Sequence, residues 1–452
     1  MPWFLAIISV IMKYAFTALF LLNSFSASFA SYEVGVNEYY CSAKTPNIKT
    51  YTVPKNAELK HVQVIVRHGD RTPISIFPQQ WKYNVVWNCT DEAPEYNYLK
   101  LQEFESVPIY DLMIEDANAN PYSKEYIQGT CMTGQLTPKG MRQKRNVGSK
   151  LREIYVNKLG YLPKTLNRRN LEDTIFVRHT EKERTKQTAI SLVSGLYPKD
   201  KLKGKLAVPF HLLPEQIETM VFQPNLCPRL SKLQSSMLNE KAYNDYWEAQ
   251  QETKKKMDSI LQTEKTPAYQ TKSLVRYMDA FRPLACNNFP LPCSLNNQSE
   301  CITNEMAIQS YVGNDFEAAW TMRDSPLSHE ANRLGIGLFL AELRQSLRNS
   351  IDKSKKSPAK IEIFSGHDTT VQPLLGILKS DDFRWPPYAS SFIIELWQDK
   401  EGKAFIRALF NGVALKSPVC DFNFCPMETF LKHIDDYVPR DILEECKITE
   451  EA

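Results

Sequence analysis

One short run, Arg67, His68, Gly69, Asp70, Arg71, Thr72 and Pro73, sets two guanidinium groups on either side of an imidazole. Arginine grips phosphate through paired hydrogen bonds from a planar fork and stays ionised. A neutral imidazole nitrogen between two such groups can attack phosphorus and carry the phosphoryl group, which divides hydrolysis into two displacements. Complementary groups occur far along the chain: Arg178, and the neighbours His367 and Asp368. Asp368 is placed to protonate a departing alcohol. It must then be protonated while substrate is bound, so an acidic pH optimum is expected. Arg178 would add a third guanidinium, and a protonated His367 would share the charge of the transferring group. Taken singly, these pieces are weak: Arg178 and Arg184, near Glu181 and Glu183, read equally as ion pairs on a solvated helix face. His61, His179, His211, His329 and His433 have no context that assigns them chemistry.

The elements that must position these groups are legible. Apolar, β-branched runs at 61–66, 174–177 and 361–364 each end at a basic residue: Arg67 with His68, Arg178, and His367. Helical patterns follow at 181–196 and 370–378. In open α/β sheets the ligand crevice lies outside the carboxyl ends of the strands, so three distant segments can converge on one anion site. Thr137 and Pro138 read as an N-cap and first helical position, with Met141, Val147, Leu151 and Ile154 at helical spacing. From 201 to 350 strand signals disappear and the chain is charged and helical, notably over Lys241–Leu261 and 325–347. Runs at 392–397 and 404–410 predict a closing hairpin, while 81–126 reads as long loops. The organisation expected is an α/β core in two pieces, 31–200 and 351–446, with a helical insertion at 201–350 and a polar tail at 447–452.

The 452 residues, 43% hydrophobic, can bury a large core. Fifty-five basic against 52 acidic residues leave a net charge of +3 and no basic stripe, which argues against nucleic-acid binding. An apolar run at 15–22, followed by Ser28, Phe29 and Ala30, predicts a signal peptide over 1–30 cleaved after Ala30; Met12 would make a tighter start than Met1. All ten cysteines lie beyond it, which suggests five disulfides in an exported chain. No Cys-x-x-Cys or paired Cys/His spacing points to a metal. Asn88 and Asn297 begin glycosylation sequons, and the polar C-terminus predicts no membrane anchor after signal cleavage.

Together these segments resemble the histidine acid phosphatases, branch 2 of the histidine phosphatase superfamily. The run from Arg67 to Pro73 is similar to the family signature; the segments beginning at Arg178 and at Gly366 are similar to its second and third motifs. The resemblance implies a mixed, mainly parallel sheet flanked by helices, with an inserted, mostly helical smaller domain. It implies His68 as nucleophile, Asp368 as proton donor, and Arg67, Arg71, Arg178 and His367 as phosphate ligands, with no metal or organic cofactor. Cys420 with Cys425 resembles a local family disulfide and Cys227 with Cys446 a long-range one. Cys89 with Cys131 is a further pairing considered, and the other four cysteines stay open. The second segment departs from the pattern, with Glu181 where Asp is common and His179 where a small residue is common. Thr370, where related bacterial phytases often carry Asn, points away from inositol hexakisphosphate.

The function expected is a secreted acid phosphatase acting on small phosphomonoesters, released or kept in the lumen of a lysosome, vacuole or Golgi. A narrow phosphosugar or glycan phosphatase is a second reading, because segments near Cys41 and Cys286 also look like 2-phosphoxylose phosphatases. A secreted signalling or binding protein with the fold and little turnover is a third. No feature of the sequence sets an oligomeric state. Hydrolysis is expected to be unchanged in EDTA, measured as release of an aryl alcohol from its phosphate ester; strong inhibition would require a metal.

Overall fold

The computed structural model describes residues 36–77, 85–89, 127–204, 206–264 and 266–448. The expected signal peptide and most of the 81–126 loop stretch lie outside the described residues.

Strand β1 (Ala57–Arg67) sits inside a seven-stranded sheet. A separate short pair, β2 (Val86–Trp87) and β3 (Gln128–Gly129), lies apart from it. The other members of the large sheet are β4 (Ile175–His179), β5 (Ile361–Gly366), β6 (Ser391–Asp399), β7 (Ala404–Phe410), β8 (Val413–Ala414) and β9 (Cys425–Pro426). Their order is β4-β5-β1-β6-β7-β8, with β9 also on β7. Strands β4, β5 and β1 are parallel, and β6 and β7 run antiparallel. The sheet is mixed and flanked by helices. Strand β1 begins earlier than the apolar run alone suggests because Ala57, Glu58 and Leu59 pair with β6 beyond the end of β5.

Side chains alternate across the sheet, and each face packs a different layer. Val62, Val64, Val66, Val177, Ile361 and Ile363 face the helices Pro138–Leu151 and Glu183–Leu196. Ile65, Phe364, Phe392 and Ile394 face a larger cluster that includes the helices Val275–Cys286, Asn304–Ala319 and Asp368–Ile377. The helix Ser328–Asn349 belongs to this layer although the sequence places it inside the 201–350 insertion. Phe339 meets Phe364 edge-on at 5.2 Å, and Gln63 of β1 donates to Leu343 O at 2.9 Å. It therefore covers the sheet; charged residues along the segment obscured a face built from Leu340, Leu343 and Leu347.

All ten cysteines are bonded: Cys41–Cys286, Cys89–Cys131, Cys227–Cys446, Cys293–Cys301 and Cys420–Cys425. Asn88 and Asn297 are exposed. Among the described residues, no helix is long and apolar enough to cross a membrane.

Thr137 caps the helix Pro138–Leu151, its Oγ1 accepting from Gly140 N at 3.1 Å. The start of this helix lies directly against the loop after β1. A Cβ on Gly69 would stand 2.3 Å from Gly140 O, and one on Gly140 would stand 2.2 Å from Asp70 O. Two backbones meet here with no room for a methyl group. Gly140→Ala is expected to cost about 1–3 kcal/mol in chemical denaturation, and to lower turnover because the loop it displaces carries His68 and Arg71.

Candidate active site

Register brings the first groups together. Arg67 of β1 is opposite Gly366 of β5, so the residues that follow, His68 and His367, emerge side by side with ring centroids 5.8 Å apart. The His68 backbone is held on both sides: its N–H donates to Gly366 O at 3.1 Å, and its carbonyl accepts from Ala389 N at 3.0 Å. Its ring is oriented as well, with Nδ1 2.8 Å from Gly69 O. A carbonyl only accepts, so Nδ1 carries the proton and Nε2 keeps its lone pair.

His367 precedes the helix Asp368–Ile377, and its Nδ1 faces Arg184 Nη2 at 3.3 Å. A guanidinium only donates; Nε2 of His367 is then the protonated nitrogen and meets Thr180 Oγ1 at 2.9 Å. The Asp368 carboxylate lies 2.7 Å from Arg67 Nη2 and accepts from Trp385 Nε1 at 3.1 Å. Arg71 is held by Asp279, on the helix Val275–Cys286, at 2.5 Å. Asp279 also accepts from the N–H groups of Ile74 at 3.0 Å and Ser75 at 2.7 Å, clasping the whole loop after β1. Tyr388 completes the wall, with Arg67 over its ring at 4.5 Å and the His68 ring 5.9 Å away.

The site is buried and strongly positive. Burial, followed by Arg67, Arg184 and Arg71, holds His68 well below the usual histidine range, so its imidazole is neutral. Burial and Arg184 likewise push His367 down to about 3, so it enters the reaction neutral rather than protonated. Burial and neighbouring cations draw even Arg67 down to about 9, and burial with Arg71 draws Arg184 to about 10. Burial works against the charge of Asp368, but Arg67, Arg282 and Arg71 outweigh it and hold the carboxyl well below the usual carboxylate range. The Nε atoms of buried Arg67, Arg71 and Arg184 have no hydrogen-bond partner among the described residues. Unpaired buried guanidinium groups are costly, and an anion relieves that cost.

Arg178 does not join this cluster. It is opposite Phe364, which is opposite Ile65, so it sits two residues short of the strand ends where Arg67 and Gly366 lie. That is roughly 6–7 Å along a strand. Its guanidinium is engaged by Glu218 and Glu342, and by Thr219 Oγ1 at 2.8 Å. The third arginine is Arg184, from the first turn of the helix Glu183–Leu196, where the neighbouring acidic residues also allow a solvated face with ion pairs. Asp279, Arg282 and Trp385 also line or support the pocket and carry no signal of their own in the sequence, whereas Tyr388 lies in the run 386–390, which is similar to the segment before the hairpin in animal acid phosphatases.

A family model described as histidine phosphatase superfamily (branch 2) matches residues 58–411, spanning the loop after β1, Arg184 and the His367–Asp368 pair. The chain belongs to that superfamily. Counting factor 60 of Dictyostelium discoideum is 29% identical over 405 residues, 87% of this chain and 89% of the relative. Lysophosphatidic acid phosphatase type 6 of Bos taurus is 25% identical over 403 residues, 84% and 83% of the two chains. Prostatic acid phosphatase of Rattus norvegicus is 25% identical over 406 residues, 86% and 89%. Among solved structures, the Citrobacter braakii phytase has the same fold, with a TM-score of 0.56 at 15% identity, covering 87% of this chain and 100% of the phytase. This histidine phosphatase is a phosphoric monoester hydrolase of the acid phosphatase kind.

Arg184→Ala is expected to lower kcat/KM for an aryl phosphate by about 10²–10³-fold, the scale for removing one preorganised charge from a transition-state site. Arg178→Ala should instead lower the melting temperature, by stranding Glu218, with a far smaller effect on kcat/KM.

Proposed function

We propose that this protein is a secretory-pathway acid phosphatase that hydrolyses phosphate monoesters through a phosphohistidine at His68. The observation that carries the reading is the Nδ1–H bond of His68 to Gly69 O, which leaves Nε2 as a neutral nucleophile among Arg67, Arg71 and Arg184. Nε2 attacks phosphorus as the ester oxygen leaves in line, and the guanidinium groups hold the equatorial oxygens. Asp368 gives the leaving oxygen a proton. Water then attacks the phosphohistidine, returning phosphate and free His68, with Asp368 taking back a proton. His367, whose Nε2–H is its donor, turns that hydrogen from Thr180 to a phosphoryl oxygen. Five disulfides support an oxidising compartment, outside the cell or in an organelle lumen.

The acid role of Asp368 requires substrate. In the free site the arginines keep its carboxyl ionised. A bound phosphate dianion answers those same arginines and adds its own negative field. One negative charge about 4 Å away is worth about 4 kcal/mol at an effective dielectric near about 20, or roughly three pKa units. That is enough to return the carboxyl to the ordinary carboxylate range, so its acid form is populated at acidic pH. The acid form then exists only below the raised value, and kcat falls as pH rises through it. His68, held neutral by burial, imposes no loss near pH 6.5, so activity persists into acid.

The test is hydrolysis of an aryl phosphate across pH 3–8 by the protein and by His68→Ala. The variant should lose nearly all turnover; equal rates would remove His68 from the mechanism. Asp368→Asn should slow alkyl phosphates by about 10²–10⁴-fold, slow activated aryl phosphates far less, and abolish the alkaline limb of kcat. A uniform loss on both substrate types would assign Asp368 another role.

A further inference from the structure

Arg282 lies on the helix Val275–Cys286, one turn after Asp279. It is only 1% exposed, yet its Nε and Nη1 have no hydrogen-bond partner among the described residues. Its guanidinium stands 4.8 Å from the centre of the Tyr388 ring and 5.9 Å from that of Trp385. Those aromatics reach the reacting groups directly: Tyr388 lies against Arg67 and His68, and Trp385 donates to Asp368. The hydroxyls of buried Tyr388 and Tyr311 also lack partners, and Tyr311 is close enough to feel the Arg282 charge. A buried cation with unused donors, among unused phenols, is what an anion site looks like without its anion.

Charge balance points the same way. Among the described residues the ionised groups facing the pocket are Arg67, Arg71, Arg184 and Arg282 against Asp279 and Asp368, which leaves two positive charges. His68 and His367 are neutral, as burial makes them. Lys144, close to Arg67, is held far below the usual lysine range by burial and bonds Ser390 O at 3.1 Å. Asp70, which accepts from Thr137 and Asn287, is countered by the charge of Lys139, so the two cancel in this balance. A phosphomonoester dianion carries the two charges that complete the balance; without Arg282 the pocket would be one short.

We propose that Arg282, brought by the helical insertion, is a fourth arginine of the phosphate site, supplying the charge that balances the substrate dianion from the Asp368 side of the pocket. The inference rests on the phosphatase reading above. Among the described residues Arg282 has no ion pair of its own, unlike Arg71, which is held by Asp279, and Arg67, which is held by Asp368. Its charge is therefore fully available to the ligand. Among the described residues, the groups around Asp368 are Arg67 from β1, Arg71 from the following loop, Arg184 from the helix after β4, His367 beside it, Trp385 and Tyr388 from the loop before β6, and Arg282 from the insertion. Removing Arg282 takes one cation from that set and lets the acid stay protonated to higher pH.

The test is Arg282→Met, of similar length and without charge. If Arg282 serves the ligand, the variant in phosphate-free buffer melts at or above the temperature of the parent, because a buried unpaired charge has been replaced by an apolar side chain. Inorganic phosphate should then inhibit it with a constant higher by on the order of tenfold, protect it less against melting, and leave an alkaline limb of kcat shifted upward. Arg282→Lys, which keeps the charge, should recover part of the phosphate affinity. An Arg282→Met protein that fails to fold, or melts several degrees lower without phosphate, would make Arg282 structural and overturn the proposal. Phosphate inhibition within twofold of the parent would overturn it as well. If the parent itself neither turns over an aryl phosphate nor binds phosphate, the phosphatase reading fails instead.

Discussion

Arg67 and Gly366 face one another across two parallel strands, and the chemistry of the molecule hangs on that pairing. Slipping β1 by one residue against β5 would turn Arg67 to the opposite face and separate the two imidazoles. The buried alternation of Val62, Val64 and Val66 against Ile65 fixes this register, because each set has its own core to fill. Sheet packing and active-site geometry are thus one constraint. The neighbouring strand β6 enters antiparallel at the same edge, so the loop before it delivers Trp385 and Tyr388 to the pocket the parallel strands define.

Four buried guanidinium groups and two carboxylates make this pocket unfavourable by itself. Mutual repulsion and burial lower Arg67 and Arg184, and the same field suppresses protonation of His68. The arrangement persists because the surrounding sheet, helices and the Asp279 clasp determine where each group must stand. The benefit is differential. Charge that is uncompensated in the free protein is compensated by the phosphoryl group, where stabilisation lowers a barrier.

Much of this was readable in the sequence because strand ends mark themselves. The apolar runs before Arg67, before Arg178 and before Ser365 stand out, and so do the groups that follow them. Arg178 shows where the rule stops. A strand-end residue lies in the crevice only if its register reaches the edge, and register is a property of pairing that one strand's composition does not carry. Arg184 sits among Glu181, Lys182, Glu183 and Lys186, several of which do form surface ion pairs, Lys182 with Glu215 and Lys186 with Glu183. Only the inward direction of the first helical turn separates Arg184 from them. Asp279 and Arg282 were invisible for another reason: they come from a helix whose contact with the pocket depends on how an insertion docks. The packing of the helix Ser328–Asn349 against the sheet is hidden for the same reason, since sequence position does not say which layer an amphipathic face joins.

The Asp279 clasp joins a loop near residue 70 to a helix more than 200 residues later, and the acid comes later still. Nearly every contact in the pocket is non-local, so a growing chain emerging from the ribosome carries His68 long before it carries anything to pair with it. Non-local closures form late in folding. Hydrolytic competence is thereby tied to completion: a truncated or half-assembled chain carries the nucleophile and its adjacent arginines without Arg184, the Asp279 clasp or the acid. The newly made chain is in that sense its own inactive precursor.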